Sequence, residues 1–305
     1  MTLRPLGAIE EQSLAAATHE DRSRCALRGR HRAGRAEKNE IEIHAPIVGL
    51  PLVAELHVTR WGSGPPAVFV HGSFGWGEET WSAQRPLADD FELLLVDRRG
   101  FGRSRAHGRV DFDRDADDVA ELLPPHAHLV GHSYGGVVAL LAAARNRAAV
   151  RSLAVIEPPA LALVRGNPVV EEFIGQLAEL AARTRDPSAY RTGFLHAFGL
   201  PPKRTELDGP MLAAARASMT ERLPSEAEIP LDVLAAAPFP KLVVRGDWRR
   251  APPTAQRRAG AIFHAICDVL EARLGAERAE LPAAHNPQLL GRPFNDRLRG
   301  FWSRA

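Results

Sequence analysis

Short apolar segments of strand length alternate with helical stretches along most of this chain. The strand-length segments are residues 53–61, 66–70, 91–96, 128–131, 153–156, 241–245 and 278–281. Helical periodicity separates or follows them at residues 111–123, 134–145, 254–274 and 288–302. Strands that are apolar throughout must be covered on both faces. The alternation therefore predicts an α/β fold, with a mostly parallel sheet between two layers of helices.

The alternation stops between residues 160 and 237, where only helical patterns occur. Val170, Phe173 and Leu177 share one helical face, behind a Pro168 that suits a first turn. We therefore predict a helical insertion over residues 160–237.

Residues 1–44 form a third region with a different composition. They hold six arginines between Arg22 and Arg35 and few large apolar residues. We predict a disordered extension, or sequence upstream of the true start, with a basic arm for an acidic partner as the alternative. The core is then expected to comprise residues 45–159 and 238–305.

Composition and charge argue against several classes of protein. The formal net charge of +2 does not favour a binder of nucleic acid or of membrane surfaces. The longest apolar run, residues 137–144, is too short to span a bilayer, and Glu10 and Glu11 interrupt any leader-like segment. We expect a cytoplasmic protein without a disulfide between Cys25 and Cys267. No metal-ligand or dinucleotide motif occurs, so no cofactor is expected.

The run GHSYGG at residues 131–136 lies between a predicted strand and a predicted helix. A G-x-S-x-G pattern at such a junction is typical of a nucleophile elbow, which lifts the serine hydroxyl above the sheet edge. The helix N-terminus that follows favours negative charge there. We predict that Ser133 is a nucleophile, and the alternative is a tight glycine-rich turn with an idle serine.

Acyl transfer also requires backbone N–H donors directed at the developing oxyanion. Tyr134, which follows the serine, is expected to supply one donor. The turn HGSFG at residues 71–75 follows another strand, and we expect Ser73 to supply the second.

Four segments resemble those of the α/β-hydrolase superfamily: HGSFG, DRRGFGRS, GHSYGG and AAHNPQLLGRPFNDRLRGFW. The resemblance covers residues 50–303. It implies a mostly parallel eight-stranded sheet, a catalytic triad at the C-terminal ends of the strands, and a cap inserted after the sixth strand. The helical insertion 160–237 corresponds to that cap.

The resemblance also indicates the triad base. His285 follows the last predicted strand, where the family places its histidine, and an imidazole has the pKa needed to activate a serine.

The triad acid is less obvious from the sequence. The family usually places it three residues after the glycine that ends the penultimate strand, but Arg249 stands there. Some relatives carry the acid after the preceding strand instead, where this chain has Glu157. A glutamate directly after an apolar strand is costly to bury without a partner. We therefore favour Glu157, with Asp247 as the alternative.

Together these residues predict cofactor-free hydrolysis of a small-molecule carboxylic ester or lactone. Nucleic acid and membrane are not expected partners, and the protein is expected to be a monomer or homodimer. An acyltransferase, a lyase or a cofactor-free oxygenase could use the same triad, and the fold also serves as a ligand-binding receptor without turnover.

Overall fold

Seven strands form one sheet in the computed structural model, which describes residues 56–105, 108–201 and 207–305. The strands are β1 Val58–Trp61, β2 Pro66–Val70, β3 Glu92–Val96, β4 Ala127–His132, β5 Val150–Ile156, β6 Lys241–Gly246 and β7 Glu277–Leu281. Their order across the sheet is β1-β3-β2-β4-β5-β6-β7. Strand β1 runs antiparallel to β3, and all other neighbours are parallel. The predicted α/β fold with its mostly parallel sheet is confirmed.

Two details differ from what the resemblance implies. The described sheet has seven strands rather than eight, and the helical insertion follows its fifth strand rather than its sixth. Both differences count β1, which lies at one edge of the described sheet, as the first strand. The predicted extension 1–44, Cys25 and the first residues of the predicted strand 53–61 lie outside the described residues.

Ten α-helices accompany the sheet in the described residues. They are α1 Gly77–Thr80, α2 Phe112–Leu122, α3 Tyr134–Arg145, α4 Pro168–Arg183, α5 Pro187–Ala197, α6 Gly209–Ser218, α7 Leu231–Ala235, α8 Pro253–Ala255, α9 Ala261–Leu274 and α10 Arg292–Trp302. Short 3-10 helices occupy Ser82–Asp89, Leu161–Val164, Pro224–Glu226 and Pro287–Leu290. Helices α4 to α7 lie between β5 and β6 in the chain, within residues 160–237.

Two apolar cores form because each central strand presents alternate side chains to opposite faces of the sheet. In β2, Val68 and Val70 face the core that includes residues of α2, α3 and α9. Ala67 and Phe69 face the second core, which α10 covers. This cover on both faces explains why these strands read as continuous apolar runs.

The two helices predicted near the C-terminus are interrupted. A π-helical turn at Gln256–Gly260 separates α8 from α9. The predicted closing helix 288–302 is a 3-10 helix followed by α10, because Gly291 between them has a φ of 64°, which a continuous right-handed helix does not allow.

No helix among residues 56–105, 108–201 and 207–305 has the length and apolar character needed to cross a bilayer. Cys267 is buried in α9 as a free thiol.

Candidate active site

Four non-glycine residues with left-handed backbone follow neighbouring strands at one edge of the sheet. Phe74 after β2 has a φ of 62°, Ser133 after β4 of 51°, Glu157 after β5 of 46° and Trp248 after β6 of 56°. A fifth such residue, His126, precedes β4 at the opposite edge. This conformation costs on the order of 1–3 kcal/mol per residue, and residues held in it cluster at active sites. The strain therefore marks the C-terminal edge of the sheet as a candidate site.

Ser133 occupies the tight turn between β4 and α3, and the surrounding glycines allow strand and helix to approach. A Cβ atom on Gly131 would come within 2.3 Å of the Gly135 carbonyl oxygen. A Cβ atom on Gly135 would come equally close, at 2.3 Å, to the carbonyl oxygens of Val70 and His71. Only glycine fits at either position, which explains the pattern around the serine.

The loop after β7 brings His285 to the serine. Its Nε2 atom lies 2.9 Å from Ser133 Oγ, a hydrogen-bond distance. The imidazole is enclosed by the rings of Phe263, Phe198 and Trp248, with centroid distances of 4.5, 5.2 and 6.3 Å. Burial lowers the pKa of His285 from 6.5 to about 3, so the neutral, proton-accepting form is favoured.

Glu157 approaches the other side of the imidazole. Its Oε2 atom lies 3.4 Å from His285 Nδ1, and the side chain is fully buried. Its Oε1 atom accepts hydrogen bonds from the Gly246 N–H at 2.7 Å and the Trp248 indole N–H at 3.2 Å. Burial raises the pKa of Glu157, and these two donors act against that shift because they favour the carboxylate.

Asp247, the alternative acid, has local partners. One carboxylate oxygen accepts the N–H of Arg249 at 3.1 Å, and the other lies 3.9 Å from the Arg249 Nε atom. Among the described residues, the candidate acid that contacts His285 is therefore Glu157 and not Asp247.

The two predicted oxyanion donors lie beside the serine. A Cβ atom on Gly72 would come within 2.8 Å of Ser133 Cβ, so the turn after β2 lies directly against the nucleophile. Ser73 and Tyr134 line the same cavity as Ser133. Tyr134 is the first residue of α3, where the backbone N–H has no partner within the helix.

The cavity is narrow and mostly apolar. It has a volume of about 30 Å³, and its walls come from both the sheet edge and the insertion. Two charged residues, Glu221 and Arg222, line it, and the apolar and aromatic lining residues are Tyr134, Pro159, Phe173, Leu177, Tyr190, Phe194, Phe198, Leu223, Pro224 and Phe263. A cavity of this volume has room for roughly one water molecule.

Two other histidines near the serine have structural hydrogen bonds. His71 donates from Nδ1 to the Gly72 carbonyl at 2.7 Å and accepts the Arg98 N–H at Nε2. His132 donates from Nε2 to the His285 carbonyl at 2.9 Å. Burial lowers the pKa of each to about 3, so both are neutral supports of the site.

A charged cluster beside the site was not predicted from the sequence. Arg98 is fully buried and pairs with Asp115 at 2.9 Å and with Glu221 at 2.6 Å. The only signal was the position of Arg98 within DRRGFGRS, and nothing local indicated Glu221, which lies 123 residues further along the chain. Within the described residues, no group of three histidines, cysteines or carboxylates is arranged to hold a metal ion.

Comparison with known proteins agrees with this architecture. A crystal structure of an alpha/beta hydrolase from Sphaerobacter thermophilus superposes with a TM-score of 0.60 and is 25% identical, over 80% of this chain and 96% of that one. A thermophilic esterase from Thermogutta terrifontis has a TM-score of 0.52 at 24% identity, over 82% of this chain and 93% of its own, a likeness of fold alone.

Curated relatives match shorter segments. A pimeloyl-[acyl-carrier protein] methyl ester esterase of Aeromonas hydrophila subsp. hydrophila is 41% identical over 85 residues, 27% of this chain and 33% of that protein. The enzyme of the same name from Methylococcus capsulatus is 31% identical over 176 residues, 56% of this chain and 66% of that protein. The chain thus spans about a third of the first relative and just under two thirds of the second.

A family model described as the alpha/beta hydrolase family matches residues 67–296, which hold strands β3 to β7, all but the first residue of β2, and all the site residues described above. On this match, the chain belongs to the alpha/beta hydrolase family.

Proposed function

We propose that this protein hydrolyses a carboxylic ester or lactone by a serine mechanism that needs no cofactor. The observation that carries the proposal is the row of contacts from Ser133 Oγ to His285 Nε2 at 2.9 Å and from His285 Nδ1 to Glu157 Oε2 at 3.4 Å. A serine next to a neutral imidazole, with a carboxylate on its far nitrogen, is the arrangement that activates a hydroxyl for acyl transfer.

In this mechanism His285 accepts the Ser133 proton as the oxygen attacks the substrate carbonyl. The backbone N–H groups of Ser73 and Tyr134 donate to the oxyanion. His285 then gives the proton to the leaving alcohol, and an acyl group stays on Ser133. A water molecule, deprotonated by His285, then attacks this ester, and the acid leaves as His285 returns the proton to Ser133 Oγ. Glu157 holds the tautomer with the proton on Nδ1 and stabilises the imidazolium.

The lining of the cavity supports an uncharged, apolar substrate. Aromatic and aliphatic side chains form most of its wall, and the two charged residues that line it are already paired, Glu221 with Arg98 and Arg222 with Asp113 and Glu226. The named activity of the curated relatives, hydrolysis of a methyl ester, agrees with an ester as the reacting group. We propose residues 160–237 as the cap that selects the acyl or alcohol group, over a core formed by residues 45–159 and 238–305.

The test is a panel of nitrophenyl esters of increasing acyl length, together with lactones, assayed with the wild type and with Ser133→Ala. We expect continuous turnover by the wild type and a loss of about 10⁴-fold or more in the variant. Stoichiometric release of nitrophenol without turnover would instead indicate a receptor. An acylated alcohol or thiol in place of free acid would indicate a transferase.

A further inference from the structure

The turn that carries the proposed oxyanion donor Ser73 is held by a buried arginine. Arg98 donates from Nε to the His71 carbonyl at 3.0 Å and from Nη2 to the Gly72 carbonyl at 3.1 Å. Its guanidinium also lies 4.6 Å from the centre of the Tyr134 ring. Arg98 thus contacts the segments of both proposed oxyanion donors.

These contacts fix the direction of the Ser73 N–H. The Gly72 carbonyl and the Ser73 N–H belong to one planar trans peptide, so they point in opposite directions. Because Arg98 Nη2 and His71 Nδ1 both donate to the Gly72 carbonyl, at 3.1 and 2.7 Å, that peptide cannot rotate freely. The N–H is thereby held away from Arg98.

Glu221 bridges this arginine and the turn from the helical insertion. It lies after α6, and its side chain is 9% exposed. Its Oε1 atom accepts from Arg98 Nη2 at 2.6 Å, and its Oε2 atom accepts from the Ser73 hydroxyl at 2.5 Å. A second residue of the insertion, Ser218, accepts the Phe74 N–H at 2.8 Å. The turn is therefore tied to the insertion on both sides.

Charge balance alone does not require Glu221. Asp115 already pairs with Arg98 at 2.9 Å, and its side chain is buried as well. One buried arginine is neutralised by one carboxylate, and a second buried carboxylate carries a desolvation cost. Burial accordingly raises the pKa of both Asp115 and Glu221. A carboxylate kept at such a cost beside the nucleophile points to a role in the site.

We propose that Glu221 is a positioning residue for the oxyanion hole. It acts through the Ser73 hydroxyl, while Arg98 holds the Gly72 carbonyl on the other side of the same peptide, so the Ser73 N–H is fully ordered only while the insertion is seated on the core. The proposal rests on the serine mechanism proposed above.

The experiment is a double-mutant cycle of Glu221→Gln and Ser73→Ala. For each variant we would measure kcat and KM for a nitrophenyl ester and the affinity for a phenylboronic acid. The boronate forms a tetrahedral adduct on the serine and so reports the oxyanion hole. Losing an oxyanion donor costs about 10²–10³-fold in kcat, and we expect about 10-fold from misplacing one. Boronate affinity should fall by a similar factor, with KM little changed.

The two substitutions should not be additive if Glu221 acts through Ser73. Independent effects would multiply to about 100-fold in the double variant, whereas we expect little more than the larger single effect. Glu226→Gln is the matched control. It removes a carboxylate of the same segment that pairs with Arg222 at 3.0 Å and is half exposed, and it should leave kcat/KM within about 2-fold.

Unchanged kcat and boronate affinity in Glu221→Gln, with normal turnover by the wild type, would overturn the role of Glu221 alone. An absence of turnover and of boronate binding by the wild type would overturn the serine mechanism itself. If Glu221→Gln does not fold, Ser73→Ala tests the proposal instead, because it removes the hydroxyl that contacts Glu221 and keeps the backbone N–H. An unchanged kcat/KM in Ser73→Ala would contradict the proposal.

Discussion

Replacing Glu157 with glutamine would put an amide beside His285 without changing the side-chain volume. The glutamine oxygen must take the place of Oε1, because that position accepts from the N–H groups of Gly246 and Trp248 at 2.7 and 3.2 Å. The amide nitrogen then faces His285 Nδ1, 3.4 Å from the present Oε2 position. This amide donates a hydrogen bond, so Nδ1 must accept it and the imidazole proton moves to Nε2. That tautomer cannot accept the proton of Ser133.

The opposite orientation of the glutamine amide is also unfavourable. It would direct the amide N–H group at two buried donors, and each unsatisfied donor costs about 1–3 kcal/mol. In serine proteases the corresponding amide substitution lowers kcat about 10⁴-fold. Because the 3.4 Å contact here is long, we expect a smaller loss, of at least about 10²-fold, or about 2.7 kcal/mol of transition-state stabilisation.

The measurement is kcat/KM for a nitrophenyl ester, with Asp247→Asn as the matched control. Asp247 contacts the N–H of Arg249 at 3.1 Å and is partly exposed, so its amide variant should stay within about 3-fold of the wild type. Circular dichroism should show both variants folded. A severe loss in Asp247→Asn together with a mild one in Glu157→Gln would refute the assignment of Glu157.

Three further predictions concern the base, the elbow and the cavity. Because burial lowers the pKa of His285 below 6.5, the neutral base persists into mildly acidic solution, and the limb of a kcat/KM–pH profile that reports His285 should lie below pH 6.5. Burial raises the pKa of Glu157, so a limb above pH 6.5 that reports this carboxyl should be absent from Glu157→Gln; a limb above pH 6.5 that persists in that variant would contradict this environment of His285. Gly135→Ala should lower the free energy of unfolding, measured by urea titration, by about 1–3 kcal/mol, because the added Cβ would lie 2.3 Å from backbone carbonyl oxygens. Gly175→Ala, in an open position of α4, is the control and should be neutral or stabilising, so equal effects of the two variants would be inconsistent with the elbow geometry. Phe198→Ala should widen the cavity and shift the preferred acyl chain to greater length in the ester panel, and an unchanged preference would exclude Phe198 from the acyl site.

Most of the fold could be predicted because its signals are local. Apolar runs of strand length and the glycine pattern around Ser133 depend on residues close in the chain, and the predicted α/β-hydrolase fold is confirmed. The break at Gly291 was missed because a single glycine in a helical pattern does not reveal its φ of 64°. The strand count implied by the resemblance was too high for the described residues.

The candidate site was partly predictable for a geometric reason. Parallel strands end at the same edge of a sheet, so residues in the turns and loop that follow β4, β5 and β7 could be expected to meet, and Ser133, Glu157 and His285 do lie together. Their catalytic roles stay predictions. The contact between Arg98 and Glu221 could not be predicted in this way, because it depends on how the insertion packs over the sheet.

The most direct test of the central claim is labelling with a fluorophosphonate, followed by intact mass measurement and peptide mapping. The reagent reacts with a serine only when a neighbouring base activates it. We expect one adduct per chain, located on Ser133, and none in Ser133→Ala or His285→Ala. An adduct on another serine that persists in Ser133→Ala, or ester hydrolysis that continues in that variant, would contradict the serine mechanism.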